Sequence, residues 1–138
     1  MREIWIIDDD QEMSHAVGLM LGLLDCNVTT FRNVRAAAQK FVAGKKPELL
    51  ILDINMPEIS GLDLVEFLRR RADTKELPIV ILSSEATDLM VDKALELGAD
   101  SYAMKPVTID ELEKAMATAF YKHLELRAER VEQAKNGK

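Results

Sequence analysis

The feature that most constrains the fold is the alternation of short apolar runs with longer amphipathic stretches along 138 residues. The runs "LLIL" and "IVIL" lack the every-second-residue alternation of a half-exposed strand. Such runs are typical of strands buried on both faces of a parallel sheet. The predicted strands cover 3–7, 27–31, 48–52, 78–82 and 101–104. The predicted helices cover 11–24, 33–43, 61–72, 86–97 and 108 onward. Five β-α units with short connections predict a doubly wound α/β domain with a parallel sheet.

Size and composition are those of one globular domain. Hydrophobic residues make up 48% of the chain and charged residues 30%, and the length is sufficient for one hydrophobic core. No apolar run approaches the ~20 residues of a membrane-spanning helix, and "MREIWII" lacks the features of a signal peptide. We therefore expect a cytoplasmic protein with no membrane partner. The lone Cys26 is predicted to be a buried structural thiol.

Charge is distributed unevenly along the chain. Residues 1–121 carry 13 Lys and Arg against 21 Asp and Glu, a net charge of −8. Residues 122–138 carry 5 against 3, a net charge of +2, which gives −6 in total. Phosphate contacts need a basic face, so an acidic body argues against direct nucleic acid binding by this segment.

Charged and hydroxyl side chains follow four of the predicted strands at the same end. They are Asp8, Asp9, Asp10, Asp53, Ser83, Ser84 and Lys105. The carboxyl ends of parallel strands lie at one edge of the sheet, which is where ligands bind in open α/β folds. We therefore expect carboxylates, a hydroxyl and an ammonium group to meet at one edge.

Clustered carboxylates repel each other unless a cation lies among them, and Mg²⁺ prefers oxygen ligands. Asp8, Asp9 and Asp53 are predicted to supply the ligands for Mg²⁺ or Mn²⁺. Asp10 is instead predicted to begin the first helix, where negative charge is favourable. Beside a bound cation, Asp53 can act as a nucleophile toward a phosphoryl group, whose oxygens Lys105 would contact.

Four segments resemble the receiver domain of two-component response regulators: "IIDDD", "LLILDINMPEISGLDL", "PIVILSS" and "GADSYAMKP". The resemblance covers about residues 3–121, and the segments occur in the order of that family. It implies a flavodoxin-like (βα)5 fold with strand order 2-1-3-4-5. It also implies a phosphoacceptor signalling protein that catalyses only its own phosphorylation and dephosphorylation. The donor would be a sensor histidine kinase or a histidine phosphotransfer protein.

The resemblance implies a role for each matching acidic residue. Asp53 would be the phosphoacceptor. Asp8 and Asp9 would bind Mg²⁺ together with Asp53 and the backbone carbonyl of Asn55.

The resemblance also implies the switch residues. Ser83 would supply the switch hydroxyl, Lys105 would bind the phosphoryl group, and Tyr102 would move between outward and inward positions. These movements would alter the face formed by the fourth helix, the fifth strand and the fifth helix. Ser83 stands where threonine is more usual, and Val107 where an aromatic is frequent; neither change removes a catalytic group.

Further positions shape the loops or adjust the lifetime of the phosphoryl group. Pro57 and Gly61 would shape the loop after the third strand, and the bond before Pro106 would be cis. Asn55 and Glu85 lie two residues beyond Asp53 and Ser83, where we expect them to adjust hydrolysis of the phosphorylated aspartate.

Three rival interpretations belong to other classes. A phosphatase of the haloacid-dehalogenase type would require aspartate at position 55, where the chain has Asn55. A nucleotide-binding domain would require a glycine-rich loop after the first strand, and "DDDQEM" contains no glycine. A degenerate receiver would dock to partners without phosphorylation, although every chemical position is filled.

The two histidines are not expected to donate phosphoryl groups. We expect His15 and His123 to lie on helix surfaces, with no acidic partner implied near His123. The phosphohistidine would therefore belong to another protein or domain.

The last predicted helix continues beyond the receiver resemblance. We predict a receiver domain at 1–121 and a helical extension at 122–138. Sheet-facing positions Ile109, Leu112, Met116 and Ala119 recur at spacings of three and four, and Phe120, Leu124 and Val131 form a neighbouring stripe. The extension can be a linker to an effector domain, half of a homodimeric coil or a solvated helix end. Two alternatives remain for the effector, because the chain is either a free-standing receiver or part of a larger regulator.

Overall fold

A computed structural model describes residues 2–54, 61–84 and 88–136, which form five β-α units. The strands are β1 (Arg2–Ile7), β2 (Cys26–Phe31), β3 (Leu49–Asp53), β4 (Ile79–Ser83) and β5 (Ser101–Met104). The helices are α1 (Gln11–Leu23), α2 (Val34–Val42), α3 (Gly61–Arg70), α4 (Asp88–Leu97) and α5 (Ile109–Asn136). All strand pairs are parallel and the order is β2-β1-β3-β4-β5, which confirms the predicted doubly wound topology.

Alternating residues of the central strands divide the core between the two faces of the sheet. Trp5, Leu50 and Ile81 contribute to the layer covered by α2, α3 and α4. Ile6 and Ile51 contribute to the layer covered by α1 and α5. Burial on both faces explains why these strands read as continuous apolar runs in the sequence.

Polar side chains mark the starts of three helices. The carboxylate of Asp10 accepts a hydrogen bond from the backbone N–H of Met13 at 3.1 Å, as expected for an N-cap. Asn33 caps α2 in the same way. At α5, the Thr108 hydroxyl accepts from the Glu111 N–H at 3.1 Å, while the Glu111 carboxylate accepts from the Thr108 N–H at 3.4 Å. This reciprocal pair is a capping box.

The last helix continues without a break from the sheet into the extension. Leu112, Met116 and Ala119 are buried against the sheet as predicted, and Ile109 is half-buried. In the predicted neighbouring stripe, Leu124 and Val131 are exposed and the ring of Phe120 is half-buried. This ring packs against the core layer of α1 and α5, and the guanidinium carbon of Arg2 lies 3.9 Å from its centroid.

The expectation of a surface position without an acidic partner is wrong for His123. Its side chain is buried, and Nε2 lies 2.8 Å from Oδ2 of Asp100. The same Asp100 oxygen accepts from the N–H of Ile79 at 2.8 Å and from Arg69 at 3.1 Å. The pair was missed because it joins residues 23 positions apart. Position 123 continues the buried series 112, 116, 119, and that spacing was the available signal.

Cys26 is buried, as predicted, and burial raises the pKa of its thiol. No helix among the described residues is long and apolar enough to cross a bilayer.

Candidate functional site

The candidate site residues lie at the ends of four strands, at one edge of the sheet. Asp8 follows β1 directly, Asp53 and Ser83 are the last residues of β3 and β4, and Lys105 follows β5. In the parallel register Asp53 pairs with Leu82 and Ser83 pairs with Met104. The predicted convergence of these residues at the carboxyl edge therefore rests on strand register.

Two buried carboxylates share one ammonium group. Nζ of Lys105 lies 2.8 Å from Oδ2 of Asp8 and 3.2 Å from Oδ2 of Asp53. Asp8 is 2% exposed and Asp53 3% exposed. Asp8 is also oriented from its own chain, since its Oδ1 accepts a hydrogen bond from the N–H of Asp10 at 3.0 Å. The geometry holds both carboxylates in place.

Burial lowers the pKa of Lys105, but the hydrogen bond to Asp8 and the charges of Asp53 and Asp8 outweigh it. The pKa therefore lies above its usual value, and the side chain is an ammonium ion at neutral pH.

Oxygens of Asp8, Asp9 and Asp53 lie within 4.8 Å of one another, and Asp9 is exposed to solvent. Three carboxylates against one lysine leave an excess of negative charge. A set of hard oxygen donors with excess negative charge suits Mg²⁺. The residues present therefore fit the predicted cation.

The switch candidates occupy neighbouring strands. Ser83 is fully buried at the end of β4. Tyr102 lies on the edge strand β5, beside Ile81 of β4, and its side chain is half-exposed. Val107, which follows the site lysine by two residues, is buried in the core layer of α1 and α5.

The loop candidates are only partly visible. Gly61 begins α3, where a Cβ would lie 3.2 Å from the backbone oxygen of Asp53, so a side chain would crowd the end of β3. The Lys105–Pro106 peptide bond is cis, as the resemblance implied. Asn55, Pro57 and Glu85, which were assigned to metal binding, loop shape and hydrolysis, lie outside the described residues.

Comparison with known proteins assigns the chain to a class defined by this parallel sheet and its strand-end acids. The chain belongs to the family described as "Response regulator receiver domain", whose model matches residues 4–117.

Relatives from several organisms share this domain. The transcriptional regulatory protein KdpE of Staphylococcus aureus is 34% identical over 110 residues, which are 80% of this chain and 46% of that protein. The chemotaxis protein CheY1 of Helicobacter pylori is 31% identical over 115 residues, 83% of this chain and 93% of that protein. The chain thus spans less than half of the first of these relatives and nearly all of the second.

Solved structures agree with the fold. The receiver domain of a signal transduction histidine kinase from Syntrophus aciditrophicus has a TM-score of 0.77 and 26% identity, covering 88% of this chain and 92% of that chain. A receiver domain protein from Clostridium thermocellum has a TM-score of 0.80, covering 91% and 99%. At 24% identity the second comparison concerns the fold alone.

Proposed function

We propose that Asp53 accepts a phosphoryl group from a phosphohistidine of a sensor kinase or a phosphotransfer protein. The observation that carries the proposal is the contact of Lys105 with both Asp8 and Asp53 beside the exposed Asp9. A nucleophilic carboxylate next to a fixed cation and two further acids is the arrangement that phosphoryl transfer to aspartate needs.

In the transfer, an oxygen of Asp53 forms a bond to phosphorus while the phosphorus–nitrogen bond of the donor breaks. The imidazole of the donor leaves with the bonding pair. Mg²⁺, held by Asp8, Asp9, Asp53 and the carbonyl of Asn55, would neutralise charge on the phosphoryl oxygens. Lys105 supplies the protein's own positive charge at the same point, since its ammonium already lies 3.2 Å from Asp53.

The new charge redistributes the contacts of the site. A phosphoryl group adds a charge of about −1.5 to −2 and strong acceptor oxygens. Lys105 and the Ser83 hydroxyl bind these oxygens, and Tyr102 moves inward from its half-exposed position. The face built from α4, β5 and α5 has two conformations, and their relative population then shifts. This shift changes the affinity for a partner or for another copy of the chain.

Hydrolysis ends the signal. Asn55 and Glu85 adjust the rate of this step, because residues two positions beyond Asp53 and Ser83 can contact the attacking water. We place the protein in the cytoplasm, where the donor is a kinase or phosphotransfer protein. The downstream effector is either another domain or a separate protein.

The test is intact-mass measurement after incubation with acetyl phosphate, with and without Mg²⁺. The wild type should gain the mass of one phosphoryl group only with Mg²⁺, and Asp53→Asn should gain none. Asp10→Asn is the matched control, since asparagine also caps a helix and the described hydrogen bond of the Asp10 side chain is the cap to Met13. Absence of the increment in the wild type would overturn the proposal and favour a phosphorylation-independent docking module.

A further inference from the structure

The exposed face of α5 carries an apolar stripe, running from the receiver domain into the extension, that the receiver chemistry does not use. Its members recur at spacings of four and three residues, and together they are called the outer stripe: Ala117, Tyr121, Leu124, Ala128 and Val131. Tyr121 is 64% exposed, Leu124 60% and Val131 55%. Large apolar side chains so close together are uncommon on one face of a solvated helix.

The opposite side of the same helix is attached to the domain. His123 contacts Asp100 at 2.8 Å, and seven residues later Arg130 forms an ion pair with Glu76 in the connection between α3 and β4. At about 100° per residue, the outer stripe lies roughly 80° to 160° around the helix axis from His123. The attachment therefore turns the stripe away from the body and presents it to solvent.

The spacing of the stripe indicates the partner. Apolar residues separated alternately by three and four positions form the seam of a left-handed coiled coil, in which an identical helix offers an identical seam. The seam is a single narrow row along one helix. This shape suits another helix with the same row.

Charge selects the orientation of the two helices. Glu125 and Glu132 are both exposed and lie on the same flank of the outer stripe, one residue after Leu124 and Val131. An antiparallel pair would bring these glutamates of the two copies together, and like charges at such positions repel. A parallel pair places each glutamate flank against the other flank of the partner helix, so this repulsion is avoided.

We propose that the outer stripe is the interface between two copies of this chain, joined as a short parallel coiled coil. The proposal does not depend on phosphorylation of Asp53. The extension leaves the domain at the amino edge of the sheet, where Asp100 binds the first residue of β4, and the phosphoacceptor lies at the carboxyl edge. With only about two heptads, and with two alanines among the five members of the stripe, the dimer should be weak and exchange rapidly.

Analytical ultracentrifugation of the full chain from about 10 µM to about 1 mM tests the interface, since weak contacts associate in this range. The wild type should pass from monomer to dimer. Val131→Glu should raise the dissociation constant at least about tenfold. Gln133→Glu adds the same charge two residues away, off the stripe, and should leave the dissociation constant unchanged. A wild type that stays monomeric throughout, or equal effects of both variants, would overturn the proposal.

Disulfide trapping tests the orientation. With diamide as the oxidant of two thiols, Val131→Cys should form a cross-linked dimer quickly, because a parallel register places position 131 opposite its own copy. Gln133→Cys is the control and should react slowly, and the wild type gives the background, since its one cysteine, Cys26, is buried. Dimers without cross-linking at position 131 would overturn the parallel arrangement. The variant Asp53→Asn cannot be phosphorylated, and we expect it to dimerise like the wild type. Dimerisation of this variant therefore tests the interface separately from the proposed phosphorylation.

Discussion

At the scale of single residues, the site depends on one lysine between two buried acids. Lys105 contacts Asp8 and Asp53, and the three side chains are almost completely enclosed. An enclosed charge is costly unless it is paired, so removing the ammonium leaves two carboxylates that repel each other. The pairing on which the proposed phosphoryl transfer depends therefore also contributes to the stability of the fold.

Replacement of Lys105 by methionine should lower the free energy of unfolding by about 1–3 kcal/mol at pH 7, less than for a fully enclosed pair because the Asp9 side is open. The folded pKa of Lys105 is raised, so its contribution is complete below the unfolded pKa of about 10.4 and is lost as pH rises through the higher folded value. The difference in thermal midpoint between wild type and variant should stay constant from pH 7 to about 9.5 and shrink above about 10.4.

Lys114→Met is the matched control for this measurement. Lys114 is exposed on α5, so its replacement should change the free energy of unfolding by less than about 0.5 kcal/mol. A difference between wild type and Lys105→Met that grows toward high pH would contradict the assigned direction of the pKa.

The carboxylate of Asp100 is a second buried charge, at the opposite edge of the sheet, and it contacts His123. His123→Ala should lower the free energy of unfolding by about 1–3 kcal/mol, because Asp100 loses one hydrogen-bond partner and the ring leaves a cavity. His15 is exposed on α1, so His15→Ala should stay within about 0.5 kcal/mol. Urea unfolding measures both, and intact-mass phosphorylation of His123→Ala should match the wild type. Equal stability losses in the two variants would show that the Asp100 contact contributes nothing.

At the scale of elements, the connection between α4 and β5 depends on a glycine for two reasons. Gly98 has φ of +121°, and a Cβ there would lie 2.7 Å from the side chain of Arg69. Arg69 donates from Nε to the carbonyl of Gly98 at 2.9 Å and also binds Asp100. The close approach of α3 to this turn is therefore possible only without a side chain.

Gly98→Ala should accordingly cost more than Gly44→Ala. Both glycines have positive φ, but a Cβ at Gly44 would meet nothing within 4 Å. Backbone strain alone should cost Gly44→Ala about 1 kcal/mol, whereas Gly98→Ala should lose at least about 2 kcal/mol as Arg69 is displaced. Urea denaturation measures the difference, and similar losses in the two variants would mean that Arg69 moves aside without cost.

The sequence predicted the strands to within one residue at each end, because continuous apolar runs between polar positions indicate buried strands directly. Helix ends were less accurate. The third helix was expected to reach residue 72 but ends at Arg70, where the Thr74 hydroxyl donates to the Leu68 carbonyl at 2.7 Å and Arg71 turns to bind Asp73. Helix propensity depends on the local sequence, so it does not predict such a contact between a helix end and the following loop.

The site was predictable for a similar reason. Asp8, Asp53, Ser83 and Lys105 stand at strand ends, and the parallel sheet brings strand ends together without further information. The network of Arg69, Asp100 and His123 was missed because its members come from a helix, a turn and another helix. Only the packing of these elements in three dimensions places them in contact.

At the scale of the whole molecule, the two edges of the sheet hold different groups of charged residues. The carboxyl edge gathers the acids and the lysine, and the amino edge gathers the contacts of Asp100. One helix, α5, begins just after Lys105 and extends past the amino edge. At 28 residues it is more than twice as long as any other element within the described ranges 2–54, 61–84 and 88–136.

The contact of His123 with Asp100 lies near the middle of this 28-residue helix. A straight helix of that length measures about 42 Å, so the half of α5 after the contact projects roughly 20 Å, about as far as the buried first half runs along the sheet. The ion pair of Arg130 with Glu76 fixes this second half to the domain as well, and the two contacts together set the direction in which it leaves the body. A helix packed on the outer stripe is therefore held at a fixed distance and direction from the carboxyl edge, as by a rigid spacer.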